Sequence, residues 1–182
     1  MLFGKDKTFI SAVYLPLLCL CLSTSNQSFA QDLDPSTELE MLSEIASQLT
    51  TANYAQAIQE GNNNQAKLIQ DGITNQILIQ QTGQGNWALA EQLGLENLLL
   101  IQQYGADNVA NIIQQGDFNQ ALSVQIGYGH ESDIYQQGYN NLAEIRQEGS
   151  LNSATIEQQG NQLSARIIQS GNTLQTQVKQ SN

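Results

Sequence analysis

The chain has 182 residues, room for one domain with short extensions, and its 6 basic against 17 acidic residues leave a net charge of −11 and a pI near 4.1. That balance argues against nucleic-acid binding, which needs clustered Lys and Arg to neutralise phosphates. Gln and Asn are over-used and Pro appears only at Pro16 and Pro35. Such a composition is often disordered, but the regular placement of Ile, Leu, Val and Ala points to order.

The N-terminus reads as a secretory signal peptide, residues 1–30. Lys5 and Lys7 give a positive start, and Ile10 to Leu22 is mostly apolar but short of the about 20 residues a membrane span needs. Ser28-Phe29-Ala30 places small residues at −3 and −1, so cleavage is expected between Ala30 and Gln31. Both cysteines, Cys19 and Cys21, lie in the part removed. Leu18 is not the small residue that a lipid-modified Cys19 would need before it. The mature chain then has no disulfide and no thiolate metal ligand. Losing Lys5, Lys7 and Asp6 leaves 4 basic and 16 acidic residues, net −12.

Residues 31–52 form an acidic leader without repeats. Ser36 or Thr37 is placed to cap a short helix in which Leu39, Met41, Leu42, Ile45 and Leu49 recur at roughly helical spacing among Glu38, Glu40 and Glu44. Two readings stand: a solvated, partly disordered leader, or a segment recognised by export machinery or docked on the domain that follows.

From Asn53 to Asn182 the chain is a repeat of twelve arms of about 11 residues, with the skeleton Asn-x-Ala-x-Ile-x-Gln-x-Gly. The glycines are Gly61, Gly72, Gly83, Gly94, Gly105, Gly116, Gly127, Gly138, Gly149, Gly160 and Gly171. Two residues before each stands a glutamine: Gln59, Gln70, Gln81, Gln92, Gln103, Gln114, Gln125, Gln136, Gln147, Gln158 and Gln169, with Gln180 continuing the series. The first position of the arm is Asn53, Asn64, Asn75, Asn86, Asn97, Asn108, Asn119, His130, Asn141, Asn152, Leu163 and Leu174. Between them come a mostly small column, such as Ala88 and Ala110, and a mostly aliphatic one, such as Ile112 and Ile145.

Four marked positions two residues apart share one face of a strand but scatter around a helix. A helical 11-residue repeat would also place a glycine every three turns, at about 1 kcal/mol each relative to Ala. The expectation is all-β. Each pair of arms makes a strand-turn-strand rung of 22 residues, the glycines serving the turns. About six rungs stack as two parallel sheets of a β-solenoid, a cross-β column roughly 30 Å long. Asn and Gln suit stacked positions because a charge would meet its like one rung away. An amide carries both donor and acceptor, and so can bond copies above and below. No polar, Pro-bearing cap closes either end, so the column favours further stacking beyond the chain.

Gln59-Glu60-Gly61-Asn62-Asn63-Asn64 and Gln147-Glu148-Gly149-Ser150-Leu151-Asn152 carry a Gln-x-Gly-x-x-Asn core that, with the 22-residue double arm, resembles the curlin repeat of bacterial curli. The resemblance covers about 130 residues. It implies a β-solenoid, secretion across the outer membrane in an unfolded state, and cross-β polymerisation into extracellular amyloid fibres. The implied partners are other curlin subunits and the outer-membrane curli secretion and assembly machinery. The major subunit of that family usually carries a Gly-rich segment before its repeats. This chain has none, and its acidic leader is more similar to the minor subunit, which nucleates the fibre and holds it at the cell. The last rung departs from the pattern at Leu163 and Leu174, with Asn161 and Asn172 displaced towards the glycines. In the minor subunit an atypical last repeat is tied to attachment; drift at a terminal rung is the alternative.

On the outward side, one column reads Gln56, Leu78, Leu100, Leu122, Glu144, Arg166, with Leu98, Val124 and Leu142 nearby, and the other sheet carries Trp87, Leu89, Val109 and Ile113. These read as exposed apolar stripes for lateral contact, or as surface aliphatics that favour strands. The acidic residues Glu60, Asp71, Glu96, Asp107, Asp117 and Glu148 fall in turns and outward positions, where they slow collapse or simply solvate the surface. His130, the one histidine, has no second His or Cys beside it. It reads as a ladder substitute that, with Ser123 and Ser132, weakens the fourth rung. No catalytic residue, metal site or cofactor is indicated. Three functions follow: the nucleating minor subunit, the major fibre subunit, or a monomeric solenoid binding ice or polysaccharide. The last would show a regular Thr or aromatic ladder, which is missing from this sequence.

Overall fold

The structure is a computed structural model that describes residues 52–182. The signal peptide, the cleavage between Ala30 and Gln31, and the acidic leader as far as residue 51 lie outside the described residues. Twelve strands follow at 11-residue intervals. They are β1 (Tyr54–Asn62), β2 (Gln65–Ile73), β3 (Gln76–Gln84), β4 (Trp87–Leu95), β5 (Leu98–Ala106), β6 (Val109–Asp117), β7 (Gln120–Tyr128), β8 (Glu131–Tyr139), β9 (Leu142–Ser150), β10 (Ser153–Asn161), β11 (Ser164–Asn172) and β12 (Gln175–Ser181). The described residues form no helix.

The strands build two six-stranded parallel sheets. The first runs β1-β3-β5-β7-β9-β11, and the second β2-β4-β6-β8-β10-β12. Every pairing joins residues 22 apart, as in Gln81 with Gln103 and Gln92 with Gln114. This is the expected all-β solenoid of about six rungs. Period-two alternation drives it, since each arm has one apolar face that only a facing arm can bury.

The core between the sheets is thin and dry. Ile77, Ile79, Leu99, Ile101, Ile112, Ile145 and Ile156 are fully buried, together with the alanines Ala88, Ala90, Ala110, Ala121, Ala143 and Ala154. The bulky column of one sheet meets the small column of the other. Ser123, at a bulky position, touches Ser132, at a small position of the next strand, with their hydroxyls 2.7 Å apart. Large against small is how facing layers interdigitate without voids.

The turn differs in detail from the reading of the glycine alone. Each glycine lies at the end of its strand, and a second left-handed residue follows two positions later. It is Asn63, Thr74, Glu96, Asp107, Phe118, Asn140, Leu151, Gln162 or Thr173, with φ from 52° to 59°, or Gly85 or Gly129. Hydrogen bonding continues through these corners. The N–H of Asp107 donates to the carbonyl of Gln84 and that of Phe118 to Leu95, both at 2.9 Å. The glycine itself is demanded by stacking as much as by φ. At Gly105, φ is 121°, and a Cβ there would fall inside the carbonyl oxygen of Gly127.

The outward column Gln56–Leu78–Leu100–Leu122–Glu144–Arg166 lies in register on the first sheet. Its apolar middle is not the exposed stripe expected. Leu98, Leu100, Leu122 and Val124 are buried and form a second apolar cluster with Leu78 and Ile126. On the second sheet Trp87 is exposed, and Leu89, Val109 and Ile113 are half-buried.

Candidate assembly site: the amide ladders

The glutamine column stands at one edge of the core on every strand. On the first sheet the side-chain amide of Gln59 donates to Gln81, Gln81 to Gln103, Gln103 to Gln125, Gln125 to Gln147 and Gln147 to Gln169, at 2.6–3.0 Å. On the second, Gln70 donates to Gln92, and the chain continues through Gln114, Gln136 and Gln158 to Gln180 at 2.8–2.9 Å. The second Nε2 hydrogen crosses to the opposite sheet, as when Gln114 donates to the carbonyl of Leu98 at 3.1 Å and Gln103 to that of Trp87 at 2.9 Å. Each amide thus stacks with its copies and staples the two sheets together.

The asparagines close the other edge. Oδ1 of Asn97 accepts both the backbone N–H and the side-chain Nδ2 of Asn119, at 3.0 and 3.1 Å. Nδ2 of Asn97 donates down to Asn75 Oδ1 at 3.0 Å and up to the carbonyl of Gly116 at 2.6 Å. Both hydrogens and both lone pairs of the buried amide are used, the condition for burying it without penalty. Asn108 and Asn141 repeat the set with Asn86 and Asn119. Asn75, Asn86, Asn97, Asn108, Asn119, Asn141 and Asn152 are buried, while Asn53 and Asn64 sit half-exposed on the first rung.

Residues 75–105, 105–138, 131–160, 138–171 and 152–181 each match the curlin associated repeat. The chain belongs to the curlin family. Its repeats are those of a curli-type structural subunit. No curated protein and no solved structure matches the chain.

In this curlin column His130 does more than interrupt the asparagine row. Its backbone N–H donates to Asn108 Oδ1 at 3.1 Å. Nδ1 accepts the N–H of Asn152 at 3.2 Å, as an asparagine Oδ1 would, and Nε2 lies 3.1 Å from the carbonyl of Ile126. An asparagine makes the same reach to the residue four back, as Asn152 does to Glu148 at 3.1 Å. The acceptor role of Nδ1 puts the proton on Nε2. Burial lowers the pKa of His130, against smaller opposing contributions from the carbonyls of Ile126 and Gly149. The imidazole therefore stands in for the amide as acceptor towards the backbone of Asn152, but the side-chain ladder is interrupted here: Asn152 Nδ2 turns to the carbonyls of Glu148 and Gly171 and no side-chain bond joins His130 to Asn108. The Ser123–Ser132 pair likewise satisfies itself.

The ladders have a direction, and among the described residues the column has open ends. There β1 and β2 at one end and β11 and β12 at the other each pair on one side only. At the N-terminal end Gln70 Oε1 is a buried acceptor without a partner. At the C-terminal end Gln169 Nε2 is met by Thr176 Oγ1 at 3.1 Å, and Gln180 Nε2 donates to the carbonyl of Ser164 at 3.0 Å. Leu163 and Leu174 donate their N–H groups to Oδ1 of Asn141 and Asn152 in the rung below, at 2.9 Å, but bring no side-chain acceptor for a rung above. Sequence reasoning missed the cross-sheet staples and the Thr176 contact. The staples end on backbone carbonyls, which carry no residue signature. Among the described residues no group of three His, Cys, Asp or Glu side chains comes together to hold a metal ion.

Proposed function

We propose that this curlin chain is exported through the outer membrane after loss of residues 1–30, and that it serves as the minor subunit, nucleating and anchoring curli-type fibres at the cell surface. The observation that carries this reading is the difference between the two ends of the column. The N-terminal rung offers the acceptor Gln70 Oε1 and unpaired strand edges. Completing it requires a rung beneath whose asparagines present Oδ1 to the N–H groups of Asn53 and Asn64. This chain's own last rung carries Leu163 and Leu174 at those places, so self-stacking leaves that junction incomplete. A second curlin subunit ending in asparagine completes it. The N-terminal end is then the template, and the C-terminal end is the one held at the cell. The acidic leader without a Gly-rich segment agrees with the same role.

The test is seeding. Polymerisation of a separate curlin fibre subunit is followed by thioflavin fluorescence with and without this chain. Removing the N-terminal amides, Gln59→Leu with Gln70→Leu, is expected to reduce seeding about tenfold, the weight of one to two hydrogen bonds, while Gln180→Leu leaves it unchanged. No seeding by the wild-type chain would point to the major subunit instead. Loss with Gln180→Leu alone would reverse the polarity.

A further inference from the structure

A complete step from one rung to the next is held by six hydrogen bonds that involve ladder side chains. From the second rung to the third, Asn75 Oδ1 accepts the backbone N–H and Nδ2 of Asn97, Asn86 Oδ1 accepts the same pair from Asn108, and Gln81 and Gln92 donate to Gln103 and Gln114. The last rung, β11 with β12, has almost none of these to offer a rung above it. Leu163 and Leu174 stand in the asparagine rows, and a leucine side chain has no acceptor. On the first sheet the glutamine ladder is diverted as well. Gln169 Nε2 donates one hydrogen across to the carbonyl of Ser153 at 3.0 Å, as the earlier glutamines do, and the other to Thr176 Oγ1 at 3.1 Å. In the rungs below, the column of Thr176 holds Ala66, Ala88, Ala110, Ser132 and Ala154. The alanines have no oxygen to take that hydrogen, and Ser132 is engaged with Ser123. Only the second-sheet ladder stays open, because Gln180 Nε2 donates to the carbonyl of Ser164 alone. The rung is otherwise intact: Ala165, Ile167 and Gln169 remain buried. Drift that merely loosened a terminal rung would have opened this core first.

We propose that this rung is a ladder terminator: Leu163, Leu174 and Thr176 end three of the four side-chain ladders together, so that a further curlin rung stacks poorly on the face of β11 and β12 and the column grows from the face of β1 and β2. A curlin first rung like this chain's own brings the N–H groups of Asn53 and Asn64, and on β11 and β12 it meets leucine in place of their acceptors. It also meets a Gln169 whose hydrogens are both in use. Burying donors without partners opposes the contact. The backbone edges of β11 and β12 remain able to pair, so stacking there is slowed, not abolished. The three residues therefore set polarity and make the chain an end subunit of a mixed fibre, one that a second copy extends reluctantly. The proposal rests on the nucleating role above and supplies its chemistry.

Opening the last rung tests this. Leu163→Asn, Leu174→Asn and Thr176→Ala together restore the residues of the earlier rungs, at positions none of which is buried, and circular dichroism checks that the variant folds. Its own polymerisation, followed by thioflavin fluorescence, is expected to be at least about tenfold faster than that of the wild-type chain, the weight of one to two hydrogen bonds. Fibre fragments of each chain are then extended with a dye-labelled curlin fibre subunit under a fluorescence microscope. Wild-type fragments are expected to grow from one end and opened fragments from both. Adding Gln59→Leu and Gln70→Leu should suppress growth of the wild-type chain but leave the opened chain one growing end. An unchanged rate in the opened chain would overturn the proposal, as would two-ended growth of wild-type fragments. If the triple variant fails to fold, Thr176→Ala alone, which frees the second hydrogen of Gln169, decides by its rate: a rise of about two- to threefold supports the terminator, and no rise overturns it. Wild-type fragments that the fibre subunit does not extend at all would sink the nucleating role, and the terminator is then still read from the two chains' own polymerisation.

Discussion

At the scale of single residues, stability rests on amides that have no free valence. Gln114 receives from Gln92, donates to Gln136 and staples Leu98. Gln114→Ala therefore strands a buried donor and buried acceptors, and should cost about 2–4 kcal/mol in denaturant unfolding. Gln180→Ala, on the last rung, should cost under about 1 kcal/mol. Near-equal losses would mean that the ladder carries no more than its end does. His130 adds a pH dependence whose sign follows from its lowered pKa. The folded column holds the ring neutral, so its contribution is full above the unfolded value of about 6.5 and is lost as pH falls through the lower folded value. Protonation would also put a hydrogen on Nδ1, which now accepts from Asn152. His130→Asn should remove that part of the acid destabilisation, read as the difference between the two melting temperatures across pH 7 to 5. The glutamine and asparagine columns were plain in the sequence. The role of His130 was not, because imitation of an amide depends on where two ring nitrogens fall, and residue type does not disclose that.

At the scale of the strand and its turn, the 11-residue spacing made strands, register and rung size legible before any coordinates. Side-chain alternation and an unbroken glycine column leave one consistent arrangement. The corner was less legible. Its left-handed residue is Asn, Asp or Gly on some rungs, which suits that conformation, but Thr, Leu, Phe, Gln or Glu on others. No composition marks the column, and stacking holds these residues there at a local cost. Thr74, β-branched with φ 57°, is the clearest case. Thr74→Gly should raise stability by about 0.5–1 kcal/mol in chemical denaturation, and a loss would show that the Thr side chain contributes more than its strain costs. Gly105→Ala tests the stacking demand in the opposite direction. With a Cβ driven into the Gly127 carbonyl, unfolding at well over about 3 kcal/mol lower stability is expected; tolerance of that alanine would refute the close rung contact.

At the scale of the whole molecule, two β-sheets end in edges that no described residue pairs, and two polar ladders run through them in one direction. Natural proteins usually block such edges, and a directional, non-closing contact propagates into filaments. The curlin repeat was legible at this scale because the repeat is the fold. The burial of Leu100 and Leu122 was not, since alternation marks them as outward and no more. The central claim is that the open column grows by in-register stacking of rungs. It is tested most directly by diluting the chain from Gln31 to Asn182 out of guanidinium and recording diffraction from aligned product. The account predicts fibres with reflections near about 4.7 Å along the axis and about 10 Å across it. A folded monomer that never polymerises, at any concentration, would contradict it.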